Sequence, residues 1–190
     1  MRALYPLALS LFVCAACRHA PTKPPTELIP GLSGATKIYT LTNLHPDEER
    51  VTLYSGNFQQ PGLIPICSEV YFTYADESWL SFKVVATGKE YYYYEHAVAA
   101  EPLLVNASHY FGPRCPQDQL AKLTPIEKKG VAQGVAIPGM RKEAVILACG
   151  YPPLRDTPSL DAKSWRYWSS RMRYFTVDFD AKGVVEKVTF

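Results

Sequence analysis

Two sequence patterns follow one another along the 190 residues, and their order restricts the possible folds more than any other feature. From Lys37 to about His96 the chain consists of short runs rich in Val, Thr, Tyr and Phe, separated by turn residues. Such runs are typical of short β-strands. From Leu123 to Phe190, two helix-like segments precede three strand-like runs. The patterns predict an α+β protein with two structural regions.

Residues 36–96 are predicted to form a small all-β, barrel-like domain, because strands this short bury a core when their sheet closes or nearly closes. The stretch "ATGKE" between two runs predicts a tight hairpin turn with Gly88 at its special position. Side chains alternate along a strand, so two of the four tyrosines from Tyr91 to Tyr94 should face outward. The hydrophobic residues of the segment 97–122 show no clear helical or strand periodicity, so we assign this segment as a connection between the two regions.

Residues 123–190 begin with a helix signature. Thr124 precedes a proline and is followed three residues later by Glu127, which is the spacing of a capping box. We expect this helix to be short and to end near Gly130 or Gly134.

A second helix is predicted from about Met140 to Cys149, because Gly150 stops it and two prolines follow. The runs "SWRYWSS", "RYFTVDFDA" and "GVVEKVTF" then alternate like strands of an antiparallel meander. Helical spacing places Val145, Ala148 and Cys149 on one face, which should pack on the meander. The receiving face of the meander carries Phe175, Val177 and Phe179.

This last part of the chain resembles the BamE-like (SmpA/OmlA) envelope lipoprotein domain, and the resemblance covers roughly residues 123–190. The matching positions are Gly139, Met140, Glu143, Val145, Gly150, Pro152, Trp165, Tyr167, Phe179 and Gly183, whereas Cys149 stands where the family more often has Leu. The resemblance implies two helices packed on a three-stranded antiparallel sheet, and in one well-known branch a role in outer-membrane protein assembly. The preceding β-rich region, which that branch lacks, is similar to the small Src-homology-3-like barrels of bacterial envelope proteins.

The first residues have the pattern of an export signal. Arg2 places a positive charge near the start of the sequence. The apolar stretch that follows is shorter than the ~20 residues that a membrane-spanning helix needs. Two alanines then precede Cys17. This pattern resembles the bacterial lipoprotein signal, in which the cysteine that follows the cleavage site is lipidated. Residues 1–16 are therefore predicted to be a signal peptide and Cys17 to be lipidated. An ordinary cleaved signal is the alternative.

Residues 17–35 are predicted to be a flexible, solvated linker, because the stretch from Arg18 to Gly31 contains four prolines and little that could pack. Such a linker would hold a folded domain clear of the bilayer. Under the sorting rule of enterobacterial lipoproteins, Asp after the acceptor cysteine retains the protein at the inner membrane. Arg18 at that place therefore predicts a periplasm-facing position at the outer membrane.

Cys67, Cys115 and Cys149 remain after such processing. The envelope permits disulfides, and three cysteines allow one bridge and leave one thiol. Cys149 lies on the apolar helix, where a buried cysteine acts as a small hydrophobe. The sequence therefore favours a bridge between Cys67 and Cys115.

Composition and motifs argue against several classes of function. The net charge of +2 is too small to indicate nucleic-acid binding, and no cluster of Lys and Arg is present. The four histidines are isolated and lack the spacing of metal ligands. The sequence contains neither the GxSxG motif of a serine nucleophile nor a glycine-rich phosphate-binding loop. We therefore expect no metal site, no cofactor and no catalytic residues.

Aromatic and arginine side chains on neighbouring strands are the remaining functional signal. Tyr, Trp and Arg are enriched where protein interfaces concentrate their binding energy, although strands also use aromatics to fill cores. In "SWRYWSSRMRYF", alternation places Trp168 opposite the face of Trp165 and Tyr167, and two arginines flank the turn. The candidate partner-binding residues are Trp168, Arg171 and Arg173.

Three hypotheses follow from these features. The first is a lipid-anchored, non-catalytic envelope protein that binds or scaffolds outer-membrane or periplasmic proteins, in outer-membrane protein assembly or envelope integrity. The second is a cell-wall module whose outward tyrosines bind peptidoglycan or peptide. The third is a thiol-dependent envelope enzyme that uses Cys67, Cys115 or Cys149.

Overall fold

The computed structural model describes residues 23–190, so the predicted signal peptide, Cys17 and Arg18 lie outside the described residues. The helices are α1 (Pro25–Leu28), α2 (Leu103–Tyr110), α3 (Gln117–Ala121), α4 (Pro125–Gln133) and α5 (Lys142–Cys149), with a 3₁₀ turn at Ala97–Ala99. The strands are β1 (Ile38–Thr40), β2 (Thr52–Tyr54), β3 (Glu69–Ala75), β4 (Trp79–Val84), β5 (Glu90–Tyr94), β6 (Phe111–Gly112), β7 (Ser164–Trp168), β8 (Tyr174–Phe179) and β9 (Val185–Thr189). None of the described helices is long and apolar enough to span a membrane.

The strands form two sheets, which agrees with the predicted α+β class. The first sheet has the strand order β2-β5-β4-β3-β1-β6, and the second has the order β7-β8-β9. The first sheet is mixed, because β2 pairs in parallel with β5 while β3, β4 and β5 form an antiparallel meander. The second sheet is antiparallel throughout.

The predicted linker is wrong for its described part. Pro25 occupies the first turn of α1, a position where its missing N–H costs nothing. Ile29 and Leu32 follow and are 2% and 0% exposed, packed in the core of the first sheet. Burying such a side chain stabilises a fold by about 1.5–3 kcal/mol, so two apolar residues among prolines are enough to hold this stretch on the domain.

The segment assigned as a connection, residues 97–122, also belongs largely to the first region. Helix α2 buries Leu103, Ala107 and Tyr110 in the core of the first sheet. The short strand β6 then pairs with β1 and forms that edge of the sheet, while β2 forms the other edge among the described strands. The first region is therefore not all-β, because a helix covers part of its core.

The second region packs α4 and α5 on the three-stranded sheet. The predicted capping box is present, because the Thr124 hydroxyl accepts from the Glu127 N–H and the Glu127 carboxylate accepts from the Thr124 N–H. Gly134 ends α4 with φ of 68°. Helix α5 begins at Lys142 rather than at Met140, since Met140 extends along β9 and its carbonyl accepts from the Val185 N–H.

The core of the second region contains the predicted residues. Val145, Ala148 and Cys149 lie in one cluster of buried side chains with Phe175, Val177 and Phe179. Trp165 stands opposite Val177 and Tyr167 opposite Phe175, so all four point to the same sheet face, and both Trp165 and Tyr167 are fully buried.

Hydrogen bonds at the end of α5 join the two regions. The last carbonyls of a helix have no partner within it and need donors from elsewhere. The Asn43 side-chain amide donates to the Ala148 carbonyl at 3.2 Å and to a carbonyl of α4 at 2.7 Å. The Asn57 side-chain amide donates to the Cys149 carbonyl at 2.8 Å. Side chains of the first region therefore cap α5 and fix the position of the second region.

Candidate binding surface

None of the three cysteines among residues 23–190 is an activated thiol. Cys67 and Cys115 form a disulfide with Cα atoms 4.9 Å apart, and Cys149 is a buried free thiol. Burial raises the pKa of the Cys149 thiol to about 12. A reactive cysteine needs a lowered pKa and access to solvent, so this geometry offers no support for the thiol-dependent enzyme.

The β7–β8 hairpin carries the three residues that the sequence singled out. Trp168 is half-buried, its indole N–H donates to the Asp156 carboxylate at 2.7 Å, and its ring meets Tyr174 edge-on at 5.6 Å. Arg171 and Arg173 are exposed, and neither forms an ion pair within residues 23–190. The hairpin therefore presents two free guanidinium groups next to an aromatic pair.

A second cluster of aromatic side chains lies mostly on the outer face of the first sheet, and the sequence pattern indicates only its two tyrosines on β5. Its ring centroids lie 4.3 to 6.5 Å from their neighbours and form one connected set. We call this set the aromatic strip, and its members are Tyr54, Phe58, Tyr74, Trp79, Tyr92, Tyr94 and His96.

Strand pairing builds the aromatic strip. Along β5, Tyr91 and Tyr93 are buried while Tyr92 and Tyr94 face outward, which confirms the prediction of two outward tyrosines. Tyr94 pairs with Trp79 of β4 on one side and with Tyr54 of β2 on the other. Three neighbouring strands therefore place three rings side by side. Pairing between distant segments is not visible in local periodicity, so alternation alone could find only the β5 members.

The polar atoms of the aromatic strip are mostly free. The Tyr74 hydroxyl donates to the Asp76 carboxylate at 2.7 Å. The hydroxyls of Tyr54, Tyr92 and Tyr94 make no hydrogen bond within the part of the chain that the structure describes. A phenol hydroxyl both donates and accepts, so the strip offers ring surface together with three unused polar groups.

The aromatic strip and the hairpin meet. The His96 ring packs edge-on against the Phe58 ring, with centroids 4.9 Å apart. The N–H of Gln59, the residue after Phe58, donates to the Trp168 carbonyl at 2.7 Å. Burial lowers the pKa of His96, and the positive charges of Arg155 and Arg171 lower it further. The hairpin that carries Arg171 therefore adjoins one end of the strip.

Two concave features border this surface. A cavity of about 780 Å³ next to His96 is lined in part by Glu77, Glu95 and Glu101. A groove of about 290 Å³ between the two regions is lined by apolar side chains, among them Leu63 and Val135, with Cys149 among the lining residues. Among residues 23–190, no group of three His, Cys, Asp or Glu side chains could hold a metal ion.

The arrangement has the chemistry of a binding surface: aromatic rings, free hydroxyls and exposed guanidinium groups. No protein-family model, no curated protein and no solved structure matches the chain. The function is therefore inferred from the residues of the aromatic strip and the hairpin.

Proposed function

We propose that this protein is a lipid-anchored, non-catalytic binding protein of the bacterial envelope, held at the outer membrane through Cys17 and facing the periplasm. The observation that carries the proposal is the meeting of the aromatic strip with the hairpin of Trp168, Arg171 and Arg173. Tyr, Trp and Arg are the residues that most often anchor a partner.

The disulfide supports an envelope location. The bridge between Cys67 and Cys115 ties the start of β3 to the segment after β6. Such bonds persist in oxidising compartments, including the bacterial periplasm, and are rare in reducing ones. Fatty-acid labelling of the wild type but not of Cys17→Ser is the outcome expected of the proposed anchor.

The proposed BamE-like assignment of residues 123–190 is supported by two helices followed by an antiparallel three-stranded sheet. In this proposal the second region is a scaffold, and the first is a barrel-like addition that widens the contact surface. Partners would be outer-membrane or periplasmic proteins, in outer-membrane protein assembly or envelope integrity.

A triple variant tests the binding role of the hairpin. Trp168→Ala, Arg171→Ala and Arg173→Ala together should greatly reduce the proteins captured by crosslinking in native cells, because the variant removes an aromatic anchor and two unpaired charges. A control pair, Arg50→Ala and Arg114→Ala, removes two exposed arginines elsewhere and should leave capture unchanged. Capture that survives the triple change in a folded protein would contradict this role.

A cell-wall module is the second candidate, and the aromatic strip is the observation that favours it. The rings of the strip, of which Tyr94 is exposed and the others are half-buried, lie outside the core of the first region, which already contains Phe82, Tyr91 and Tyr93. The outward tyrosines would then bind peptidoglycan or its peptides, and sedimentation with purified cell wall is the direct test.

A further inference from the structure

We propose that the aromatic strip binds a polysaccharide strand of the cell wall, with sugar rings lying on Trp79, Tyr92 and Tyr94 and an acidic substituent facing Arg171. This inference rests on the proposed binding function and names the ligand class of the strip.

The rings provide the first argument. The face of an aromatic ring carries partial negative charge, and the C–H face of a sugar ring presents partial positive charge together with apolar surface. The rings of Trp79, Tyr94 and Tyr54 follow one another at centroid distances of 6.3 and 6.1 Å with interplanar angles of 32° and 37°, and Tyr74 stacks on one face of Trp79 at 4.3 Å. A row of rings across three strands suits an extended polymer of repeating rings better than a single small molecule.

The free hydroxyls provide the second argument. A sugar ring has an apolar face and a rim of hydroxyl groups, so a complementary site needs ring surface with hydrogen-bonding groups at its border. The hydroxyls of Tyr54, Tyr92 and Tyr94 are unused within the described residues and can each donate and accept. A purely apolar partner would leave these three groups without hydrogen bonds, which is unfavourable on burial.

Charge provides the third argument. The hairpin that carries Arg171 meets one end of the strip, where the Gln59 N–H donates to the Trp168 carbonyl at 2.7 Å, and Arg171 makes no ion pair within residues 23–190. Glu77 and Glu95 border the strip at the neighbouring cavity and would repel a uniformly charged polyanion such as a nucleic acid. A largely neutral strand with occasional carboxylates fits a neutral row of rings that ends at a cation.

The experiment uses the full chain in detergent and three probes: intact purified cell wall, glycan strands freed of peptide, and wall peptides freed of glycan. The strip variant, Trp79→Ala with Tyr94→Ala, should bind glycan strands at least about tenfold more weakly than the wild type, as expected for the loss of aromatic anchors. Tyr71→Ala is the matched control, because Tyr71 is 48% exposed on β3 and belongs to no ring pair of the strip. It should bind like the wild type.

A milder pair of variants keeps the test valid if the alanine changes unfold the protein. Tyr92→Phe with Tyr94→Phe retains the rings and removes two hydroxyls, and it should weaken strand binding by a few fold with an unchanged melting temperature. Arg171→Gln should abolish most of the salt dependence of binding to intact wall, since it removes the charge that meets the acidic substituent.

The outcomes separate this inference from the function on which it rests. Binding to the peptides alone, or equal binding of glycan strands by the wild type and the folded strip variant, would overturn the polysaccharide assignment. If neither strands nor wall are bound while hairpin-dependent protein capture persists, the assignment is wrong and the proposed function stands. If capture is also absent, both are wrong.

Discussion

The two regions bury similar inner faces but expose very different outer ones. The inner face of each sheet is aliphatic and aromatic. On the outer face of the second sheet, Arg166 stacks on Tyr174 and Asp178 stands opposite Lys187, as is usual for a solvated face. On the outer face of the first sheet, Lys83 and Glu90 form an ion pair at one end, but uncharged rings run across four strands at the other. Since aromatic surface is costly to leave in water, the difference supports the proposal that a ligand binds the aromatic strip of the first region, next to the hairpin.

The largest effect should come from the inner face of the second region. Phe179 is buried and packs against Trp165 with ring centroids 4.7 Å apart, so Phe179→Ala should cost about 3–5 kcal/mol. Trp168→Ala, on the outer face, should cost much less, because it loses one hydrogen bond and a half-exposed ring. Chemical denaturation of both variants measures the contrast. Equal losses would show that Trp168 is a core residue and that the binding surface lies elsewhere.

Removal of the disulfide should weaken the first region selectively. Cys67 and Cys115 are 48 residues apart, and a loop of this length corresponds to about 4 kcal/mol in the chain-entropy model. In the double variant Cys67→Ser and Cys115→Ser, amide hydrogen exchange should accelerate in β1 and β6 more than in β8. Cys149→Ala serves as the control, because it changes the other core. Equal acceleration in both regions would mean that they unfold as one unit.

Acid should weaken the second region through Glu127. Arg141 contacts the buried Glu127 carboxylate at 2.7 and 2.8 Å and, with backbone N–H groups, lowers its pKa from 4.5 to about 2. A lowered folded pKa adds stability that is complete above pH 4.5 and is lost as the pH falls toward 2. The contribution is roughly 3 kcal/mol.

Glu127→Gln should therefore be less stable than the wild type at neutral pH and nearly equal to it near pH 2. Glu186→Gln, an exposed carboxylate on β9, is the matched control and should follow the wild type. Denaturation curves between neutral pH and pH 2 test this, and a stability difference independent of pH would exclude the ion pair as its cause.

The sequence predicted the second region better than the first, because its signals are local. The capping box at Thr124 and the alternation around Val177 act within a few residues, and both are present in the structure. The first region depends on distant partners: β2 pairs in parallel with β5, and β6 reaches back to β1. The periodicity of a short sequence segment does not show which distant strand it pairs with. The same limit applies to the aromatic strip, whose rings come from four strands and two loops.

In our proposal, ligands bind at the aromatic strip and the adjoining hairpin. A photo-crosslinking side chain placed singly at Tyr94, at Arg171 or at Tyr71 tests it in the native envelope. Tyr94 and Arg171 belong to the proposed surface, whereas Tyr71 is exposed outside it. We expect crosslinked products from the first two positions and few from Tyr71. Equal yields from all three positions, or products from Tyr71 alone, would contradict it.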